Sequence, residues 1–385
     1  GLPGLYNVED LGSAIDLVNR LNALAGDVKR SETQPLVMTP SLGDAFTGGN
    51  PDQDLRQMRV SATGFTPAQD HRKYSDVSTM LMGCTGIVNS ARGLKVLDSL
   101  DVDQELIGQD IRPVYTVNPQ NNAIQTVVDG NGPLFSEDGT NTNNDYRTYI
   151  GAQSTQNIRE VGLQMQGYFG RQGRTAGLEK VNRKYGGINN GDIAALPPTG
   201  SARENLGDPE HYRQKRERPN LFFFGGDDGL VHAVRAFDGY NLFSFVPQTT
   251  WDNIVSDGSV PIDGPMSAGE VVPCRSASGG GGCPNGAEAA VKSMVVGGVG
   301  EAGRELFGFE LTEFSNNALR DRDATLNRWP NTAVMWSLTD TQEADLGLTV
   351  SRPALAHINF SGQIKGVAVV GCGLDPTSNN VYKSL

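Results

Sequence analysis

With 44 acidic against 32 basic side chains in 385 residues, a net charge of −12, the chain is a poor partner for nucleic acid, because its Lys and Arg are too dilute to neutralise a phosphate track. The length allows two or three domains, or one domain beside one large β assembly. The 48 glycines fit a loop-rich β protein outside the cytoplasm, and no apolar run approaches the roughly 18 residues of a membrane span.

Gly1 opens the chain without a leader, so a processed or fragmentary product is expected. The spacing of Leu11, Ile15, Val18, Leu21 and Ala25 predicts a helix over 7–26, with Asn7 as cap and Gly26 as stop. Residues 31–72 read as loop with short strands such as 35–38, and 79–97 as partly helical. A strand is expected over 111–117. The Asn/Asp/Gly run at 129–145 offers side-chain oxygens for calcium but lacks the EF-hand spacing, so it reads as a surface loop. Ile158, Val161, Met165 and Phe169 mark a second helix over 154–169. A boundary near residue 180 divides an α/β region, 1–180, from a β region, 181–385. The basic cluster at 213–218 is interrupted by Glu217 and reads as a solvated linker.

The β region is organised around 221–247, LFFFGGDDGLVHAVRAFDGYNLFSFVP, three short strands joined by tight turns. Asp-Gly between β-forming runs is a strong hairpin signal, because glycine supplies the positive φ that such turns need. Gly225, Gly226, Asp228, Gly229, Asp238 and Gly239 are the turn residues here. Weaker copies follow, with Gly297 and Gly298 before LFGFEL and VMWSLT, and Gly371 after KGVAVV. Each copy is preceded by an apolar strand marked by Pro or Gly, at 193–200, 264–272 and 351–358. Four strands per unit with glycine turns is the pattern of a β-propeller; an open β-sandwich is the alternative. The repeat exceeds the usual blade of about 40 to 50 residues, so long insertions are expected between strands.

Chemistry-bearing motifs are sparse. His71, His211, His232 and His357 show no paired spacing, and His232, alternating within a strand, reads as packed or surface-lying. There is no nucleophile elbow and no phosphate-binding glycine loop. Asp227, Asp228 and Asp238 lie in turns that favour aspartate for its backbone geometry. Trp336 reads as core packing. Cys274 and Cys283 bracket a glycine-rich segment: a short disulfide would imply an oxidising compartment, and a zinc pair is the other reading. Cys84 and Cys372 read as buried, or paired elsewhere, rather than catalytic.

The blade motif resembles that of quinoprotein-type propellers, and in particular the C-terminal propeller of the PilY family of type IV pilus biogenesis and tip-adhesin proteins. GPMSAGEVV, SMVVGGVGEAGRELFGFELTE, AVMWSLTDTQEADLGLTVSRPALAHI and GVAVVGCGLDPTSNN resemble later elements of that family in the same order. Residues 91–119 more faintly resemble the end of a von Willebrand A-type domain, without the Asp-x-Ser-x-Ser spacing of its metal site; 76–79 lacks the last serine. The resemblance implies a mainly β fold with a C-terminal propeller, here ending within a blade. It further implies a non-enzymatic, exported protein of a Gram-negative bacterium at the pilus tip, binding minor pilins and host or abiotic surfaces. No cofactor is expected. The family's calcium loop and integrin-binding tripeptide are not present in this sequence. The insertion at 272–292, with Arg275 and Asn285, is the expected partner contact. A propeller scaffold without a pilus link and a quinoprotein dehydrogenase are the competing readings; the latter lacks adjacent cysteines here.

Overall fold

A computed structural model describes residues 37–38, 56–65, 73–84, 94–101, 113–117, 124–129, 132–133, 185–188, 193–198, 208–215, 218–236, 239–250, 261–276, 290–312, 314, 335–371 and 373. Strands β1 (Val37–Met38), β2 (Arg56–Phe65), β3 (Lys73–Cys84) and β4 (Leu94–Asp101) form one antiparallel sheet in that order. Next come β5 (Val114–Val117), β6 (Ile124–Asp129) and β7 (Gly132–Pro133), and then β8 (Tyr185–Gly186), which returns to pair with β3.

Two expectations are corrected here. Of the stretch at 79–97, expected to be partly helical, the described ends are strand: β3 and β4 cover 79–84 and 94–97 and pair antiparallel, Ser78 opposite Asp101 through Cys84 opposite Leu94, while 85–93 lie outside the described residues. Alternate and helical periods are hard to tell apart in a short run such as Met80-Leu81-Met82, and the ladder to β2 and β4 decides for strand. Likewise 31–72 holds the ten-residue strand β2. The helices expected over 7–26 and 154–169 and the loop at 129–145 lie largely or wholly outside the described residues, while the strand expected over 111–117 is β5.

The organising stretch folds as read. β9 (Ala194–Leu196), β10 (Leu221–Gly225), β11 (Val231–Arg235) and β12 (Asn241–Phe245) make an antiparallel four-stranded unit, unit 1. β5 adds to β12 in parallel, so strands from both sides of residue 180 share one seven-stranded sheet. Unit 2 repeats the plan with β13 (Met266–Val271), β15 (Lys292–Gly298), β16 (Glu305–Glu310) and β17 (Met335–Thr339). Between its first two strands the short β14 (Arg275–Ser276) leaves for unit 3, the hairpin of β18 (Ala354–Phe360) and β19 (Gln363–Val369).

Every residue of β10, β11, β12 and β16 is buried, because both faces of these sheets are covered. Side chains alternate between the two faces of a strand, so β10 sends Leu221 and Phe223 into one core and Phe222 and Phe224 into another. The first core is shared by the facing sheets: Phe243 and Phe245 of unit 1 meet Phe307 and Phe309 of unit 2. Phe243 and Phe309 are edge-to-face with centroids 5.7 Å apart, and Phe245 and Phe309 lie 5.1 Å apart. Each such ring stabilises by about 1.5–3 kcal/mol through burial, plus about 0.5–1.5 kcal/mol per favourable ring pair. Unit 2 turns its other face to unit 3, where Leu306, Leu346 and Val370 form a small core with Trp336 and Leu338 against it. Trp336 lies over Gly308, whose missing Cβ makes room for the indole. Ser267 donates to the Pro353 carbonyl (2.6 Å), and the Val272 amide donates to His357 Nε2 (2.9 Å), tying β13 to the third unit.

Candidate functional site

Three buried polar centres are each built around a carboxylate, and two of them, at Glu270 and Glu305, join unit 1 to unit 2. The first is the turn between β10 and β11. Asp228, 1% exposed, accepts from the amides of Leu230 (3.3 Å) and Gly186 (3.3 Å) and contacts His232 Nε2 at 3.2 Å. The other ring nitrogen of His232 lies 2.9 Å from Ser244 Oγ. An Asp–His–Ser line is the order of a nucleophilic relay. Here both the aspartate and histidine side chains are 0% exposed and the imidazole packs against Tyr185 and Phe224. Its physical work is to pin 185–188 onto the turn, where Asp227 also donates its amide to the Gly187 carbonyl (2.8 Å).

The second centre is carried by helix α1 (Pro209–Lys215), inserted between β9 and β10. Asp208 caps it, accepting from the His211 amide at 3.0 Å, and Pro209 occupies the first helical position, where a missing N–H costs nothing. His211 Nε2 contacts Glu270 Oε2 of unit 2 at 2.7 Å, and Arg218 donates to Glu270 Oε1 at 3.0 Å and to Ser293 Oγ at 2.7 Å. Ser293 donates in turn to Glu270 (2.8 Å), and Arg218 also reaches the Pro197 carbonyl. Burial pushes the Glu270 carboxyl up, but the His211 hydrogen bond and the Arg218 charge outweigh this and hold it at about 2. Among its described residues the basic cluster at 213–218 is only partly solvated. Arg213 and Gln214 are exposed, Arg213 paired with Glu210 at the surface, whereas Lys215 and Arg218 are buried, Lys215 donating to the Phe314 carbonyl at 2.9 Å. The Asp-Pro-Glu string at 208–210 was the available sequence signal, an N-cap, a first-position proline and an acidic first turn.

The third centre is Glu305 on β16. Its carboxylate accepts four donors: the amides of Gln248 (3.0 Å) and Thr249 (2.8 Å) from the 3₁₀ turn that follows β12, Thr249 Oγ1 (3.0 Å) and Ser337 Oγ (2.6 Å). Complete burial raises its pKa against the pull of those hydrogen bonds.

The turn residues expected from sequence divide by role. Gly229 and Gly239 have φ of 79° and 70°, the left-handed region that favours glycine. A Cβ at Gly225 would overlap the Ile262 carbonyl, one at Gly297 would overlap Met266, and one at Gly298 would overlap Thr349. Gly226 accepts from the Gly229 and Ile262 amides. Gly371 exchanges two 2.9 Å hydrogen bonds with Ser351, closing the end of the third unit. Asp238 lies outside the described residues. Cys274 is disulfide-bonded, and Arg275 lies in β14, opposite Ile364; Cys283 and Asn285 lie outside the described residues.

The described residues thus form two face-to-face antiparallel units, joined through the buried carboxylates of Glu270 and Glu305, and the hairpin of a third. No family model matches the chain. A curated protein named "Type IV pilus biogenesis factor PilY1 homolog", from Xylella fastidiosa (strain Temecula1 / ATCC 700964), is 24% identical over 150 residues, which are 37% of this chain and 10% of that protein. The chain is thus similar to the PilY family, as its blade motifs are. A solved structure titled "Crystal structure of Pseudomonas aeruginosa PilY1 C-terminal domain" aligns with 46% of this chain and 32% of its own length, at 18% identity and a TM-score of 0.30. The chain therefore spans a tenth of the curated relative and about a third of the solved one. Among the described residues no helix is long and apolar enough to cross a membrane, and no group of three or more His, Cys, Asp or Glu side chains is placed to hold a metal.

Proposed function

We propose that this chain is part of an exported type IV pilus biogenesis factor that acts by binding rather than catalysis. In this reading its four-stranded units are blades of a propeller, preceded by a von Willebrand A-type region. It contacts minor pilins at the pilus tip and surfaces beyond it. The observation that carries the reading is the sequence match to a protein of that name, together with blade motifs in the same order. The physics of the units agrees with a binding role. Their ionisable groups at Asp228, Glu270 and Glu305 are buried and already matched with hydrogen bonds, which fits cohesion rather than turnover. In this reading the strand edges are short and protected within blades, which suits a protein working outside the cell.

The test is to replace the chromosomal gene with a fluorescently tagged copy and image sheared and cell-attached pili, alongside a deletion strain. Loss of surface pili on deletion, with signal at filament ends, supports the assignment. Normal piliation and motility in the deletion strain overturn it, and normal piliation with signal confined to the periplasm favours the scaffold reading.

A further inference from the structure

We propose that 208–218 is a detachable strap: it fastens unit 1 to unit 2 through one shared carboxylate, Glu270, and comes off as a unit, with both sheets still folded, when that carboxylate is neutralised. The strap begins and ends in unit 1, leaving after β9 and re-entering at β10, yet its side chains are fastened largely on unit 2. Asp208 accepts from the Val291 amide (3.2 Å), Lys215 donates to the Phe314 carbonyl, and His211 and Arg218 converge on Glu270.

Two properties make this segment separable. α1 spans seven residues, well short of the about 12–15 that an isolated helix needs in water, so it persists only while docked. Its docking is also polar. Among the described residues of 208–218 none belongs to the aromatic core that joins the sheets, and Tyr212 is the only buried hydrophobic one. The sheets are joined independently by Phe243, Phe245, Phe307 and Phe309. Regions with few apolar contacts open locally while the core stays closed.

The charges around Glu270 explain why it is the fastener. It faces His211 and Arg218 from the strap and the neutral Ser293 from β15. Of the other charged groups nearby, Asp208 is committed to backbone amides, Lys215 to a carbonyl, and Lys292 of β15 is paired with Glu310 of β16 at 2.6 Å. Neutralising Glu270 therefore leaves the buried guanidinium of Arg218 without its carboxylate, a state that costs far more than an exposed pair would. Because the folded-state pKa lies below the ordinary glutamate value of 4.5, at about 2, the fastening is complete above 4.5 and lost as pH falls towards 2.

The experiment is hydrogen exchange read by mass spectrometry on the full chain, corrected for intrinsic rate, for wild type and Glu270→Gln. At neutral pH the variant is expected to lose about a hundredfold or more of the protection of 210–218 while 221–225, 241–245 and 305–310 keep theirs. Wild type should lose protection in 210–218 alone between pH 4.5 and 2. If Glu270→Gln does not fold, the wild-type titration is read against Glu270→Leu paired with Arg218→Met, which should markedly reduce the loss of strap protection over that range, Asp208 being the acid that remains in the strap. Protection of 210–218 that survives neutralisation, or that is lost only together with both sheets, overturns the proposal.

Discussion

Replacing Glu305 by Gln tests whether buried carboxylates hold the two complete units together. The side chain is isosteric, but only one of its two terminal atoms accepts. Of the two donor pairs that Glu305 receives, Gln248 N with Ser337 Oγ and Thr249 N with Thr249 Oγ1, one pair must then face an amide NH₂. The hydroxyl of that pair can rotate and accept, whereas the backbone N–H cannot. One buried amide is left without an acceptor, a loss of about 1–3 kcal/mol. Leu at this position strands all four donors and is expected to cost about 3–5 kcal/mol.

The pH dependence separates this account from a generic packing defect. Burial raises the Glu305 pKa, so the folded state binds its proton more readily than the unfolded chain does. Its contribution to stability is therefore greatest below the unfolded value near 4.5 and falls as pH rises through the folded value. Glutamine does not titrate. The advantage of wild type over Glu305→Gln should thus widen as pH falls from neutral towards 4.5. Urea denaturation at several pH values, followed by Trp336 fluorescence beside β16, measures it. An advantage that narrows on acidification, or no advantage at any pH, refutes the reasoning.

Other perturbations have equally definite outcomes. Phe309→Ala empties a fully buried position between the facing sheets and should destabilise by about 3–5 kcal/mol in urea, with Phe309→Leu costing less. Gly308→Ala drives a methyl group into the Trp336 indole, so about 1–3 kcal/mol of destabilisation should accompany a shift in tryptophan emission. Asp228→Ala removes the acceptor shared by Leu230 N, Gly186 N and His232, and hydrogen exchange should show 185–188 losing protection before β12 does. Phe360→Ser, at a side chain 60% exposed, should change stability by no more than about 0.5 kcal/mol.

What the sequence discloses is what is settled over a few residues. The strands around Gly229 and Gly239 were legible because a positive φ has to be supplied locally, and glycine beside aspartate supplies it. The strands of unit 2 followed from the same punctuation. At 79–84 and 94–97 a partly helical reading misses because the conformation there is fixed by the ladders among β2, β3 and β4, not by the segment's own period. Burial of Arg218 was equally hidden. Its partner Glu270 is 52 residues away, and a run of Arg and Lys looks the same whether it faces water or a carboxylate. His211 meets the same carboxylate across 59 residues.

The two buried glutamates of unit 2 make the limit sharper. Glu270 and Glu305 both lie in strands, both are buried, and both accept donors from unit 1. Yet one pKa is held at about 2 and the other is raised. The difference lies in what donates. Around Glu270 the hydrogen bond of His211 and the charge of Arg218 together outweigh desolvation; around Glu305 stand only amides and hydroxyls, whose hydrogen bonds do not. On acidification from neutral pH, the cost of burying the Glu305 charge is relieved first, and the Glu270 contact weakens only below about 4.5. Acid should therefore loosen the strap without first destabilising the joint between the sheets, an ordering fixed by which residues of unit 1 reach each carboxylate and not by the residue type that receives them.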